Sequence, residues 1–249
     1  MANKTIFYTL VLSGLSDFPS LQLPLFLVFL LVYLMTLTGN LLIVLLICTD
    51  SHLQTPMYFF LGTLACLDMG YSSVTIPRML YDFHAQKRLI SIQACITQIF
   101  FFVLFAMSEI SLLAVMSYDR YVAICRPLHY TKIMHWKACV LLVLGVFTIC
   151  MAHSLVHVLL LLKLTFCSLN PIQSFFCDLP QLLLVSCSDT SINVLLILIL
   201  AIIPGGGIFV LTFCPYIIIL KTLYEKHVKC MRSTPSPCSS PLDVVFIFM

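Results

Sequence analysis

Long apolar runs without charged residues divide this chain. The first lies between Asp17 and Asp50, which enclose 32 residues with no Asp, Glu, Lys or Arg. About 20 apolar residues suffice to cross the hydrocarbon core of a bilayer as a helix. Four further runs have comparable length and at most two charged positions each. The pattern predicts five membrane-spanning helices, at residues 24–48, 57–81, 96–118, 138–162 and 190–220.

The composition excludes a water-soluble fold. Of the 249 residues, 61% are hydrophobic and 9% are charged, whereas ordinary soluble domains have roughly 25% charged residues. The net charge of +3 is small, and the basic residues never form the stripe that phosphate binding requires, so nucleic acid is not an expected partner. The first apolar run exceeds the core of a signal peptide, and we expect it to stay as an uncleaved anchor.

Three signals predict that the N-terminus lies outside. In that orientation four cysteines are outside, where disulfides persist, although four cysteines allow three pairings. Asn3 begins an Asn-Lys-Thr glycosylation sequon in the outer tail. Eight basic residues lie inside against five outside, as the positive-inside rule requires. The inner eight are Arg120, Arg126, Lys132, Lys137, Lys221, Lys226, Lys229 and Arg232, the outer five are Lys4, Arg78, Lys87, Arg88 and Lys163, and the outer cysteines are Cys95, Cys167, Cys177 and Cys187.

Three polar side chains share one depth in the predicted spans. Counted from the inner boundary, Asn40 lies ten residues deep, and Asp68 and Glu109 lie eleven deep, which corresponds to about 15–17 Å of helix. Intramembrane acids are costly and mark candidate functional sites. The two carboxyls could share a proton, or coordinate a small cation with hydroxyls such as Ser108 or Ser111. The alternative is that Asn40 and Asp68 only hydrogen-bond between helices.

Other reactive side chains give weaker patterns. His153 and His157 are four residues apart and so share one helical face, which is the spacing of a two-histidine metal site. No carboxylate accompanies them, which favours a structural or loop-contact role. The cysteines in or beside the helices read as small apolar residues. No nucleophile, base and orienting group come together, so we do not expect an enzyme.

A charge pair ends the third span and belongs to a set of motifs. Asp119 and Arg120 adjoin in MSYDRYVAIC at 116–125, where the arginine can extend toward the cytoplasm. The other motifs are Gly39-Asn40, TPMYFFL at 55–61, LACLD at 64–68 and PLHY at 127–130, all in order. Together they resemble the olfactory receptors of the rhodopsin-like G-protein-coupled class, over about the first 220 residues.

The resemblance implies an all-α integral membrane fold, a rhodopsin-like seven-helix bundle, and roles for matching residues. The expected partners are a small-molecule odorant, a heterotrimeric G protein and membrane lipid, at the plasma membrane, with no cofactor beyond a sodium ion. The implied roles are disulfides Cys95–Cys177 and Cys167–Cys187 at the outer mouth, sodium-site acids Asp68 and Glu109, and a G-protein-coupling motif Asp119, Arg120 and Tyr121.

An odorant pocket is expected to be apolar with few polar groups. Two helical stripes at the outer halves of the third and fifth spans have suitable spacing. A packing or lipid-facing stripe has the same spacing, so both interpretations stay open. The stripes are Val103, Ala106, Met107 and Ile110 in the third span, and Leu198, Ile202 and Gly206 in the fifth.

The C-terminal part departs from the family pattern. Residues 230–240, CMRSTPSPCSS, are rich in Pro and Ser and read as a loop. The start of a sixth helix is recognisable near Leu242, but eight residues to Met249 give about 12 Å of helix against a core of about 30 Å. We therefore expect an outer tail at 1–23, a five-helix part at 24–220, and a cytoplasmic tail at 221–249 with an incomplete sixth helix and no seventh.

Three functions follow. The first is an odorant receptor that signals through a G protein. The second is a truncated product that does not signal, because receptors of this class work by moving the sixth helix away from the third. We expect such a product to be retained in the endoplasmic reticulum. The third is a small cation transporter or channel that uses Asp68 and Glu109. The sequence shows no inverted repeat of the kind that many transporters have, which counts against this function.

Overall fold

The computed structural model describes residues 9–12, 19–85, 88–166 and 174–233. Within these ranges, five helices are long and apolar enough to cross a membrane, which confirms the five predicted spans. The long helices are α1 (Pro19–Thr49), α2 (Pro56–His84), α3 (Ile92–Cys125), α5 (Trp136–Leu161) and α7 (Ser191–Ser233). The remaining elements are strands β1 (Thr9–Val11) and β2 (Leu89–Ser91), short helices α4 (Tyr130–Ile133) and α6 (Leu179–Leu184), and 3₁₀ turns at Ser51–Leu53 and Pro127–His129.

Most of the helices extend beyond the predicted spans. The first begins at Pro19 rather than at residue 24, with Pro24 inside it, because lipid offers the backbone no hydrogen-bond partner outside a helix. The last continues through residues 221–233, where Lys, Glu and Leu are good helix formers. The predicted loop at 230–240 is therefore wrong for 230–233, and 234–249, with the predicted start of a sixth helix, lie outside the described residues.

Local sequence explains where two of the helices begin. Pro56 occupies the first turn of α2, where its missing N–H is not needed. Ser91 precedes α3 and accepts a 3.2 Å hydrogen bond from the amide of Ala94, which satisfies one of the unpaired amides at the helix start. Because Ser91 also ends β2, the strand passes directly into the helix.

The third helix is the centre of the bundle. It packs against α2, α5 and α7, and α1 packs against α2. Two fully buried serines tie it to its neighbours: Ser117 of α3 donates a 2.6 Å bond to the carbonyl of Thr212 on α7, and Ser154 of α5 donates a 2.6 Å bond to the carbonyl of Phe100 on α3. Small hydroxyl residues allow helices in a membrane to approach closely and to hydrogen-bond across the interface.

Two apolar clusters lie at opposite ends of the bundle. At the end that we call the disulfide end, β1 pairs antiparallel with β2, with Leu10 opposite Ile90. Leu10 and Ile90 join a cluster with Cys95, Cys177, Leu161 and the short helix α6. At the other end, called the Asp119 end, a second cluster contains Phe60, Leu67, Leu112, Val122, Met134 and Cys139.

Candidate functional site

A buried carboxylate at the Asp119 end holds two donors. Asp119 is 1% exposed, although it lies near the end of a membrane-spanning helix. The guanidinium of Arg120 donates from Nε and Nη2 to its Oδ2, and the hydroxyl of Tyr130 donates to its Oδ1 at 2.9 Å. Both oxygens of the carboxylate are thus occupied. The buried charge is compensated by an ion pair and a hydrogen bond, as a buried carboxylate requires.

The chain folds back on itself to bring Tyr130 to this carboxylate. The third helix ends at Cys125, and the 3₁₀ turn Pro127–His129 leads directly into α4, which begins with Tyr130. Burial, reinforced by the neighbouring Asp119, raises the pKa of the Tyr130 phenol well above its ordinary value. The ring also packs against the apolar cluster of the Asp119 end. The tyrosine is therefore held in its neutral, donating form.

The predicted motif residues Asp119, Arg120 and Tyr121 are contiguous, but their environments differ. Arg120 keeps 23% of its side chain exposed while it binds Asp119, and Tyr121 packs on the apolar cluster of the Asp119 end. Tyr130 was not among the predicted site residues. Its position in the PLHY motif was visible in the sequence, but nothing in the spacing revealed that its hydroxyl meets Asp119.

The predicted polar layer is partly assembled. Asp68 on α2 and Glu109 on α3 are close enough to interact electrostatically. Glu109 Oε1 is buried with no partner among the described residues, as is the hydroxyl of Ser108. Asn40 instead donates a 3.0 Å bond to the carbonyl of Thr36 in its own helix. The structure thus brings the two acids together, whereas the hydrogen bond of Asn40 stays within α1.

The disulfide end contains the Cys95–Cys177 bond that the resemblance implies, with the two Cα atoms 5.4 Å apart. Cys187 is also disulfide-bonded, but its implied partner Cys167 and the predicted glycosylation site Asn3 lie outside the described residues. The backbone amide of Cys187 donates to the carbonyl of Thr165 at 2.9 Å. The segment before α7 is therefore fastened to the end of α5.

Gln98 is a buried link that the sequence did not reveal. Its side chain is on α3, donates a 3.1 Å bond to the carbonyl of Val74 on α2, and accepts a 3.2 Å bond from the amide of Cys177. Gln98 is 8% exposed. One amide side chain thus connects two helices and the disulfide-bonded loop.

A second link at this end is the ion pair of Arg78 and Asp82 on α2, with 2.9 Å between Nη2 and Oδ1. The same guanidinium donates to the carbonyl of Leu89 in β2 at 2.8 Å and lies 5.4 Å from the ring centroid of Tyr81. Arg78 was counted in the sequence only as an outer charge. In the structure it fastens α2 to the strand that precedes α3.

An apolar cavity of about 660 Å³ lies between α3, α5 and α7. Its lining includes Ser111, Tyr118, Cys150, Pro204 and Cys214. None of the seven predicted pocket residues is part of this lining. Of those residues, Val103 packs against the cluster of the disulfide end, Ala106 and Met107 are half-buried, and Ile110, Leu198, Ile202 and Gly206 are exposed in the described part of the chain.

The bundle has the rhodopsin-like fold. It matches the crystal structure of squid rhodopsin with a TM-score of 0.69 at 20% sequence identity, over 88% of this chain. The chain spans 61% of that rhodopsin chain. At this identity the match establishes the arrangement of the helices, which is that of a rhodopsin-like bundle.

The chain belongs to the olfactory receptor family. The olfactory receptor family model matches residues 29–249. Human olfactory receptor 4E1 is 43% identical over 96% of this chain and 76% of that receptor. The olfactory receptor-like protein COR5 of Gallus gallus is 45% identical over all of this chain and 80% of that protein. The protein is thus a multi-pass membrane protein of the odorant-receptor-like, G-protein-coupled type and not an enzyme. These matches favour the receptor over the truncated product and the transporter.

Proposed function

We propose that the chain binds small, mostly apolar odorants near the disulfide end and passes the signal to a heterotrimeric G protein at the Asp119 end. The observation that carries the proposal is the Asp119 carboxylate, which holds Arg120 through two hydrogen bonds and is itself held by Tyr130. An arginine restrained in this way can exchange Asp119 for another partner at the membrane face. It is a two-state element that a ligand can bias.

The proposed orientation has the disulfide end outside the cell. The Cys95–Cys177 bond supports it, because disulfides persist in oxidising compartments. The excess of eight basic residues over five supports it as well. The plasma membrane is the proposed location, because an odorant arrives from outside and a G protein from inside. Surface labelling of an epitope at residue 1 in unpermeabilised cells tests both statements, and labelling that requires permeabilisation contradicts them.

Odorant-dependent cAMP in transfected cells is the test of signalling. Arg120→Ala should abolish the response, because it removes the cation that Asp119 holds for the partner. Lys137→Ala is the matched control, since this lysine is exposed at the start of α5 and should leave the response unchanged. Surface labelling accompanies each measurement. A full response from surface-expressed Arg120→Ala would contradict the proposed role.

The odorant pocket is proposed at the two predicted stripes, which include Met107 on α3 and Leu198 on α7. Half-buried Ala106 and Met107 lie next to Val103, which packs toward the disulfide end. Ala106→Phe should raise the odorant concentration for half-maximal response at least tenfold, because the added ring fills apolar space. Ala114→Phe, which fills the cavity between α3, α5 and α7 instead, is the control, and equal effects of both would contradict this assignment.

A sodium ion or a shared proton is proposed between Asp68 and Glu109. Two neighbouring carboxyls repel each other when both are charged, and a cation or a shared proton removes that repulsion. The buried Oε1 of Glu109 has no partner among the described residues. Replacing sodium with choline should lower the melting temperature of the purified receptor if the occupant is sodium. The effect should vanish in Asp68→Asn. An equal melting temperature in both salts would favour the proton.

A further inference from the structure

Two histidines on α5 face each other near the disulfide end. Their Nε2 atoms are 3.3 Å apart, and the ring centroids are 4.8 Å apart. The helix ends at Leu161, four residues after His157, so this ring lies about 6 Å of helix from the end. His153, one turn further in, is half-buried. The pair is thus within reach of the aqueous boundary at that end of the bundle.

The hydrogen bonds of the pair do not fix the tautomer of His157. His157 is 5% exposed, and its Nδ1 is buried without a partner among the described residues. A neutral imidazole has one donor and one acceptor nitrogen, and a buried polar group left unpaired costs free energy. No hydrogen bond among the described residues therefore fixes which nitrogen of His157 carries the proton, and its Nε2 can offer a lone pair.

We propose that His153 and His157 together bind a divalent transition-metal ion of the Zn²⁺ and Cu²⁺ class. Imidazole nitrogens bind these ions at about 2.0–2.1 Å. With the Nε2 atoms 3.3 Å apart, an ion at that distance from both would subtend an angle of about 107°, which matches tetrahedral coordination. The observed distance between the two Nε2 atoms therefore suits the coordination of one ion.

Binding through both Nε2 atoms requires a change of tautomer and a rotation of the rings. The ring that now donates its Nε2 proton must carry that proton on Nδ1 instead, so that both Nε2 lone pairs point at the ion. Among the described residues, no group of three or more His, Cys, Asp or Glu could complete the site. Two coordination positions thus remain for water or for a thiol, amine or carboxylate of a bound molecule, as in zinc sites that keep open positions.

The test uses the full chain, purified in detergent and freed of metal. Zinc chloride should raise its melting temperature in a concentration-dependent way, since a ligand that binds the folded state stabilises it, and EDTA should reverse the shift. His153→Asn and His157→Asn should each weaken the apparent zinc affinity at least tenfold, because loss of an outer-shell partner alone costs about ten- to a hundredfold. His52→Asn is the matched control at an exposed position.

Each variant is compared with itself, with and without zinc, so a lower starting stability does not hide the result. Equal zinc responses in the control and in the two pair variants would overturn the proposal, as would a wild-type chain that does not respond. Cu²⁺ electron paramagnetic resonance gives an independent measurement. Nitrogen couplings from two imidazoles are expected in the wild type and from one in His153→Asn, and a wild-type spectrum without nitrogen coupling would also overturn the site.

Discussion

Removing one hydroxyl at the Asp119 end should destabilise the receptor measurably. Tyr130→Phe deletes the 2.9 Å hydrogen bond to Oδ1 of Asp119 and leaves the ring in place in its apolar cluster. A hydrogen bond to a charged group contributes about 1.5–3 kcal/mol. Arg120 still compensates the carboxylate through Oδ2, so the lower value applies. About 1.5 kcal/mol corresponds to about 3–6 °C in melting temperature for a domain of this size.

The assay is thermal unfolding of the purified receptor in detergent. Tyr224→Phe is the matched control, because this tyrosine is 66% exposed on α7 and its hydroxyl should contribute little. The two substitutions remove the same atom. In a double-mutant cycle with Asp119→Asn, the effect of Tyr130→Phe should be smaller in the Asn variant, because the hydrogen bond then no longer goes to a charged group. If Tyr130→Phe and Tyr224→Phe have the same melting temperature, the hydrogen bond from Tyr130 does not stabilise the fold.

The same contact predicts a dependence on alkaline pH. Burial and Asp119 raise the folded-state pKa of Tyr130 above its ordinary value of 10.0. Because the unfolded chain then loses this proton at a lower pH than the folded chain does, the contribution is fully present below pH 10 and is lost as the pH rises beyond it. The melting temperature of the wild type should therefore fall more steeply above that pH than the melting temperature of Tyr130→Phe. Parallel pH profiles would contradict the assignment.

Two further substitutions test the packing of α3. Gly70→Ala should lower the melting temperature, because a Cβ there would stand 2.8 Å from the ring of Phe105 and overpacking costs about 1–3 kcal/mol. Adding Phe105→Leu should restore part of the lost stability. If it restores none, the contact with Phe105 is not the cause of the loss. Gln98→Leu should also lower the melting temperature, because the buried amide of Cys177 and the carbonyl of Val74 lose their partner at a cost of about 1–3 kcal/mol. An unchanged melting temperature in Gln98→Leu would contradict the proposed link.

The sequence predicted the spans because the bilayer imposes them. An apolar run longer than 20 residues has one stable backbone conformation in lipid, and all five such runs, each with at most two charged positions, are helices. The helix ends were less predictable. Helix α7 continues to Ser233, past the charged residues that we took as a boundary, since a helix does not have to end where the membrane does.

The contacts that organise the two ends could not be read from the sequence. Tyr130 meets Asp119, and Gln98 meets Cys177, across 11 and 79 positions of the chain. Neither contact follows from the regular spacing of residues in a helix or a strand, because the loop between the partners determines how they meet. The shared depth of Asp68 and Glu109 was predictable because both lie on helices of known rise. Asn40 has nearly the same depth, but its side chain donates to a carbonyl of its own helix. Depth fixes the height of a residue along the bundle and not the direction in which its side chain points.

Asp119 holds Arg120, and Tyr130 holds Asp119; we call this arrangement the lock on Arg120. The lock and the packing of the Asp119 end depend on the same residues. Tyr130 donates to Asp119 and also packs on the apolar cluster that contains buried Met134. Releasing Asp119 therefore requires α4 to loosen from that cluster, so stability and basal signalling should change in opposite directions there. Tyr130→Phe and Met134→Ala should lower the melting temperature and raise ligand-independent cAMP per receptor at the surface. Gln98→Leu, which acts at the disulfide end, should lower the melting temperature alone. If all three raise basal cAMP equally, general destabilisation and not the lock controls the signal.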